Sequence, residues 1–209
     1  VCGAQESEDI AVSTVPDGIE IDIRSVPKRF ERLEMSERKR VLAGRSGCGL
    51  CGLDSLSHVV ASVPPVARAA SVPVAAIVAA GERLFENQPL NKESFSVHGA
   101  AWVTRDGTIA HVREDIGRHN ALDKLIGVIA SLDVARGDGF VLLTSRCGYE
   151  LALKAARCSL PVVVSISAPT AMAIRFGEAS GVTLASFAPE GIVVFTHPHR
   201  IPAAQRVTA

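Results

Sequence analysis

The segment from Phe140 to Phe195 limits the fold more than any other part of the chain. Phe140–Thr144 and Val162–Ile166 are short, continuous apolar runs, the pattern of strands buried on both faces. Tyr149–Arg157 and Thr170–Glu178 follow them as helical stretches, and Thr183–Phe187 and Ile192–Phe195 add two more strands. Strands alternating with short helices predict βαβ units. The expected fold is α/β, of three layers, with a mixed, mostly parallel sheet between helices on both faces. The last two strands, joined through Ala188-Pro189-Glu190-Gly191, predict an antiparallel addition at the sheet edge. With 47% hydrophobic residues among 209, the chain can bury one sizeable core and carry an appendage.

Upstream, Ile19–Ile23 alternates apolar and acidic residues, as a half-buried strand does. Lys28–Leu42, rich in Arg, Lys and Glu with apolar residues interspersed, predicts a charged helix with a solvated face. Pro64-Pro65 marks a break. Ser71 is expected to cap a helix over Val74–Phe85 that has Pro73 in its first turn, with Phe85 in the core. Val97–Val103 and Ile109–Val112 flank Arg105-Asp106-Gly107-Thr108, a hairpin signal, and Trp102 is assigned to the core. Arg118–Leu132 sets Leu122, Leu125, Ile126 and Ile129 at helical spacing. The chain thus divides into an N-terminal region, 1–70, and an α/β core domain, 71–209.

Gly44-Arg45-Ser46-Gly47-Cys48-Gly49-Leu50-Cys51-Gly52 sets two cysteines among glycines, a composition that predicts an exposed loop carrying two thiols. Arg38, Lys39, Arg40 and Arg45 lie close in sequence, and nearby cations favour the thiolate. Five cysteines, an odd number, do not suit a secreted disulfide framework; the expected compartment is a reducing cytoplasm, where a CxxC serves catalysis or metal binding. One CxxC is half of a structural zinc site, and Cys147 and Cys158, with ten residues between them, do not supply the other half. A zinc deaminase joins H-x-E to P-C-x-x-C; Ala100 stands where His98 would need its glutamate, so no metal is assigned. A thiolate on a loop suits a sulfur relay that attacks a donor's persulfide and carries away the outer sulfur. A CxxC redox protein is the alternative.

Ligands of open α/β sheets bind at the carboxyl ends of the strands. Ser145-Arg146-Cys147-Gly148 and Ser167-Ala168-Pro169-Thr170 are turns of this kind, each before a helix N-terminus that favours an anion. Ser145, Arg146, Ser167 and Thr170 either donate to a phosphate, or the serines and the threonine merely cap their helices. Arg113-Glu114-Asp115-Ile116-Gly117-Arg118-His119-Asn120 forms a third candidate between a strand and a helix. An anionic ligand would offset the cost of Arg118 at the positive end of a helix. Asp115 either reads the N–H edge of a guanine or caps the helix. His98 is a candidate because Gly99 and Ala100 leave space beside it, and Cys147 and Cys158 are read as ordinary semi-buried side chains.

Equal numbers of basic and acidic residues, 22 each, argue against a broad polyphosphate surface, so no nucleic-acid partner is expected. The longest apolar run, Val72–Ala80, is too short to span a membrane and contains Pro73. Glu6, Glu8 and Asp9 do not suit a signal peptide.

Together these motifs resemble the formate dehydrogenase accessory sulfurtransferases. The cysteine loop and Arg113-Glu114-Asp115-Ile116-Gly117-Arg118-His119-Asn120-Ala121-Leu122-Asp123-Lys124 carry the resemblance, with Ser145-Arg146, Tyr149-Glu150, Ser167-Ala168-Pro169-Thr170 and Thr196-His197 in matching order. The resemblance implies a cytoplasmic, homodimeric protein of cytidine-deaminase-like fold, without the family's N-terminal region. It implies sulfur taken from a cysteine desulfurase and passed to a molybdenum or tungsten bis(guanine dinucleotide) cofactor bound for the formate dehydrogenase catalytic subunit. Cys48 would carry the persulfide, with Cys51 assisting. His98, Asp115, Arg118, His119, Asn120, Ser145, Arg146, Ser167, Thr170 and the loop Phe187, Ala188, Pro189, Glu190, Gly191 and Ile192 would contact the cofactor. A non-catalytic chaperone for the guanine dinucleotide is the further alternative.

Overall fold

The computed structural model describes residues 7–15, 18–25, 63–66, 71–132 and 134–206. The cysteine loop and the helix expected over Lys28–Leu42 lie outside these residues. Alternating sequence forms the first element: β1 (Ser7–Val15) pairs antiparallel with β2 (Gly18–Ser25), with Val12 opposite Ile21 and Thr14 opposite Ile19. This register sets Ile10, Val12, Ile19 and Ile21 on one face of the ribbon and Ser13, Glu20 and Asp22 on the other. Ile10, Val12, Ile19 and Ile21 are all exposed.

Seven further strands form one sheet in the order β4-β3-β5-β6-β7-β8-β9. They are β3 (His98–Thr104), β4 (Ile109–Asp115), β5 (Gly139–Arg146), β6 (Val162–Ser167), β7 (Thr183–Ala188), β8 (Gly191–Val194) and β9 (Gln205–Arg206). The sheet is mixed: β5, β6 and β7 run parallel, β3 runs antiparallel to both β4 and β5, and β8 antiparallel to β7. The hairpin after Thr104 forms as expected, with Gly107 at φ 90 and packed so closely on Ala76 that a Cβ would lie 2.9 Å from its carbonyl oxygen. The β7–β8 pair is antiparallel, and β9 adds a parallel strand beyond it, so β8 is not the edge.

Helices cover both faces. Leu122, Leu125 and Ile129 of α3 (Arg118–Ser131), Leu151 and Ala155 of α4 (Tyr149–Arg157) and Phe176 of α5 (Ala171–Ser180) share one core with Ala100, Trp102, Val141, Leu143, Val163 and Leu184. Ile77, Ala80 and Leu84 of α1 (Val74–Leu84) pack on the other face against Ala101, Val103, Phe140, Leu142, Val162 and Val164. Residues on alternate sides of each strand therefore enter different cores, which is why β5 and β6 read as unbroken apolar runs.

Two expectations fail locally. The N-cap of α1 is Pro73, not Ser71: the amides of Ala76 and Ile77 bond to the Pro73 carbonyl, and the Ser71 carbonyl accepts from Arg105 Nε at 2.8 Å. Phe85 is exposed, not core. It follows Leu84 by one residue, so it turns about 100° away from the buried stripe, and it stacks on Phe95 with ring centroids 6.2 Å apart. A further short helix, α2 (Pro89–Ser94), docks on β4: the buried Glu114 carboxylate accepts the amides of Leu90 and Asn91 at 3.0 and 2.9 Å.

Candidate functional site

Strand direction determines where the candidate residues meet. β4, β5, β6 and β7 all end at one edge of the sheet, and β3, antiparallel to its neighbours, begins there. His98 stands opposite Asp115 on the adjacent strand, and Arg146 opposite Ser167. Helices α3, α4 and α5 follow β4, β5 and β6, so three N-termini open on this edge, all on the same face of the sheet. Each presents free backbone N–H groups and a positive dipole end.

The three N-termini differ in how they are capped. Thr170 caps α5 itself, its hydroxyl accepting from Ala173 N at 3.3 Å. Gly117 and Gly148, the N-caps of α3 and α4, provide no side chain. The Thr170 amide donates to the Cys147 carbonyl at 3.0 Å, tying the β5–α4 turn to the β6–α5 turn. Ser145 is buried and donates to the Arg146 carbonyl at 3.1 Å, whereas Ser167 is exposed.

Asp115 is engaged internally. Its Oδ1 accepts from Gly117 N at 2.9 Å and from Asn120 Nδ2 at 3.1 Å, and its Oδ2 pairs with Lys124 Nζ at 2.7 Å. Burial works against its charge, but Lys124 and these hydrogen bonds outweigh it and hold the carboxyl below its ordinary pKa. Asp115 thus braces the first turn of α3, and Asn120 shares in the brace. No sequence pattern marks Lys124 for this role: it lies nearly two helical turns beyond Arg118 and reaches back to the Glu114 carbonyl as well. That contact and the bond from Arg113 to the Val112 carbonyl place cations along β4, the outermost strand of the sheet among the described residues.

Two cations at this edge stand outside these pairs. Arg118, half-buried, and Arg146, exposed, have no hydrogen-bond or ion-pair partner among the described residues. Beside Arg118, His119 is held neutral: burial, then the charges of Arg118 and Lys154, lower its pKa to about 4. Burial and Arg118 also lower His98. The room that Gly99 leaves beside His98 is not open, because the buried Gln88 amide fills it; a Cβ there would lie 2.5 Å from Gln88 Nε2. Lys154, on the neighbouring helix, pairs with Asp123 and donates to the His119 carbonyl at 3.4 Å.

The loop after β7 reaches the same edge, but its side chains divide. Phe187 and Ile192 point into the α1-side core, and Ile192 is buried. Ala188, Pro189, Glu190 and Gly191 form the turn at the edge itself. From β4 to β7 is four strand spacings, roughly 20 Å, so only an elongated ligand touches both ends. Thr196-His197 lies at the opposite edge: the Thr196 hydroxyl donates to Val182 O and accepts from Leu184 N, and His197 Nε2 lies 3.1–3.2 Å from carbonyls at the end of α5. Cys147 and Cys158 are buried thiols, and burial pushes Cys147 up to about 12, so it stays protonated. Cys48 and Cys51 lie outside the described residues. No group of three or more potential metal ligands occurs among the described residues, and none of their helices is long and apolar enough to cross a membrane.

By class this is an α/β protein in which three helix N-termini and two arginines, without a partner among the described residues, gather on one sheet edge. Sequence comparison makes the class specific: the chain belongs to the FdhD/NarQ family, whose profile matches residues 1–202. It is 44% identical over 200 residues to the sulfur carrier protein FdhD of Xanthomonas euvesicatoria pv. vesicatoria, covering 95% of this chain and 70% of that one. It is 43% identical over 202 residues to the sulfur carrier protein FdhD of Cupriavidus necator, covering 96% and 69%. A crystal structure from Desulfotalea psychrophila, described as that of a formate dehydrogenase accessory protein, superposes with a TM-score of 0.66 at 24% identity, over 96% of this chain and 72% of that one. That likeness concerns the fold.

Proposed function

We propose that the protein is a sulfur carrier in the maturation of formate dehydrogenase. The Cys48 thiolate attacks the outer sulfur of a cysteine desulfurase persulfide; the donor's S–S bond breaks, its cysteine leaves as thiolate, and Cys48 holds the persulfide. Cys51 assists. The acceptor is a molybdenum or tungsten bis(guanine dinucleotide) cofactor, bound along the edge where β4 to β7 end, on its way to the dehydrogenase. The carrier works as a cytoplasmic homodimer.

One observation supports the cofactor half of this reading: two helix N-termini without side-chain caps, at Gly117 and Gly148, open on the same edge as Arg118 and Arg146, which have no partner among the described residues. Phosphates suit both kinds of group, and the length of the edge suits a dinucleotide. The sulfur half is supported by the identity to named sulfur carriers. GDP serves as the probe, measured by calorimetry. Binding weakened by Arg118→Gln and by Arg146→Gln supports the reading; binding that ignores both, or no binding by the folded protein, refutes it.

A further inference from the structure

Position 81, in the middle of α1 (Val74–Leu84), is a glycine, where alanine would favour the helix. The surroundings explain it through a single side chain. A Cβ at Gly81 would lie 2.4 Å from Cζ, 2.8 Å from Cε1 and 3.4 Å from Cε2 of Phe187, and these are its three nearest atoms. Phe187 stands at the carboxyl end of β7, opposite Ile192 of β8, and the Ala188–Gly191 turn starts from it. Gly191 closes that turn at φ 125, a conformation other residues rarely adopt. The turn is therefore fixed at one end by its own backbone and at the other by the seat of the Phe187 ring.

We propose that Gly81 is a positioning residue for the cofactor edge: its bare α-carbon seats the Phe187 ring and so sets where the Ala188–Gly191 turn meets the ligand. This rests on the cofactor reading above. Ordinary carbon contact begins near 3.4 Å, so a methyl group at position 81 forces the ring tip back by about 1 Å, a displacement on the scale at which binding geometry is lost. Helix α1, which carries none of the candidate contacts, thereby acts on the site through one ring.

The test is a double-mutant cycle on GDP affinity with wild type, Gly81→Ala, Phe187→Ala and the double variant, together with the 19F spectrum of fluorophenylalanine-labelled protein. The Phe187 resonance is identified by its loss in Phe187→Ala. Gly81→Ala is expected to shift that resonance and weaken GDP roughly tenfold, while the double variant binds no more weakly than Phe187→Ala alone. Wild-type affinity in Gly81→Ala, or losses that add in the double variant, overturns the proposal. If Gly81→Ala does not fold, the double variant, which removes the overlap, must recover the fold; its failure to do so also overturns it. Should the wild type bind no GDP, the cofactor reading falls, and the seat is judged by the 19F signal: a shifted Phe187 resonance supports it and an unmoved one overturns it.

Discussion

Thr196→Val separates scaffold from site at a motif that the sequence groups with the functional residues. Thr196 is 1% exposed, and its hydroxyl donates to Val182 O at 2.7 Å and accepts from Leu184 N at 2.8 Å. It thereby joins the chain after β8 to β7 where backbone pairing has ended. Valine has nearly the same shape but neither bond, so the substitution leaves one buried carbonyl and one buried amide unpaired. At about 1–3 kcal/mol for each of the two orphaned groups, the cost is about 2–6 kcal/mol. That is a large part of a typical folding free energy and corresponds to roughly 4–24 °C in Tm for a chain of this size. Urea unfolding of wild type, Thr196→Val and Thr196→Ser measures it. Serine keeps the hydroxyl and should lose about 1 kcal/mol, the value of a buried methyl. GDP affinity of the folded Thr196→Val protein should equal that of wild type, because the motif lies at the far edge of the sheet. A valine variant within 1 kcal/mol of wild type, or one that loses GDP affinity while folded, refutes the reasoning.

Gly148→Ser should gain the N-cap that α4 lacks, since Gly148 has φ −87 and nothing within 4 Å of where its Cβ would be; stability then holds or rises by a few tenths of a kcal/mol. The same side chain occupies the anion's place, so GDP should bind more weakly by calorimetry, and unchanged affinity would remove Gly148 from the site. Arg118→Gln and Arg146→Gln should each flatten the salt dependence of GDP binding as well as weaken it, because each removes a screened charge contact. His119 gives stability a pH slope of defined sign. Unfolded His119 takes up its proton near pH 6.5 and the folded residue near 4, so in that window the unfolded state binds more protons. Its contribution is complete above pH 6.5 and is lost as pH falls toward 4; urea melts at pH 7 and pH 5 should show a smaller loss for His119→Asn than for wild type.

The α/β alternation after Phe140 was legible because continuous apolar runs of strand length, separated by helix formers, admit few other folds. The direction in which those strands present their side chains was not. Both faces of β7 are buried, so composition cannot tell that Leu184 enters one core while Ala185 and Phe187 enter the other. For the same reason Phe187 and Ile192 read as loop contacts, although their side chains belong to the interior. The edges of the sheet were equally hidden: Thr196-His197 is polar and compact like the site turns, but it follows a strand that runs the opposite way. Helix α2 carried a signal, Pro89 at its first position, but its anchor Glu114 lies 24 residues away on another strand. The turn around Asp115 read well as a functional segment because charged residues gather there. Three-dimensional pairing divides that cluster into a brace, Asp115 and Asn120 with Lys124, and a cation outside it, Arg118.

Intact mass after incubation with a cysteine desulfurase and cysteine tests the central claim most directly. The account predicts a gain of about 32 Da, one sulfur atom held by thiol–persulfide exchange, in wild type and not in Cys48→Ala. No gain in the folded wild-type protein, or an equal gain in Cys48→Ala, would contradict it.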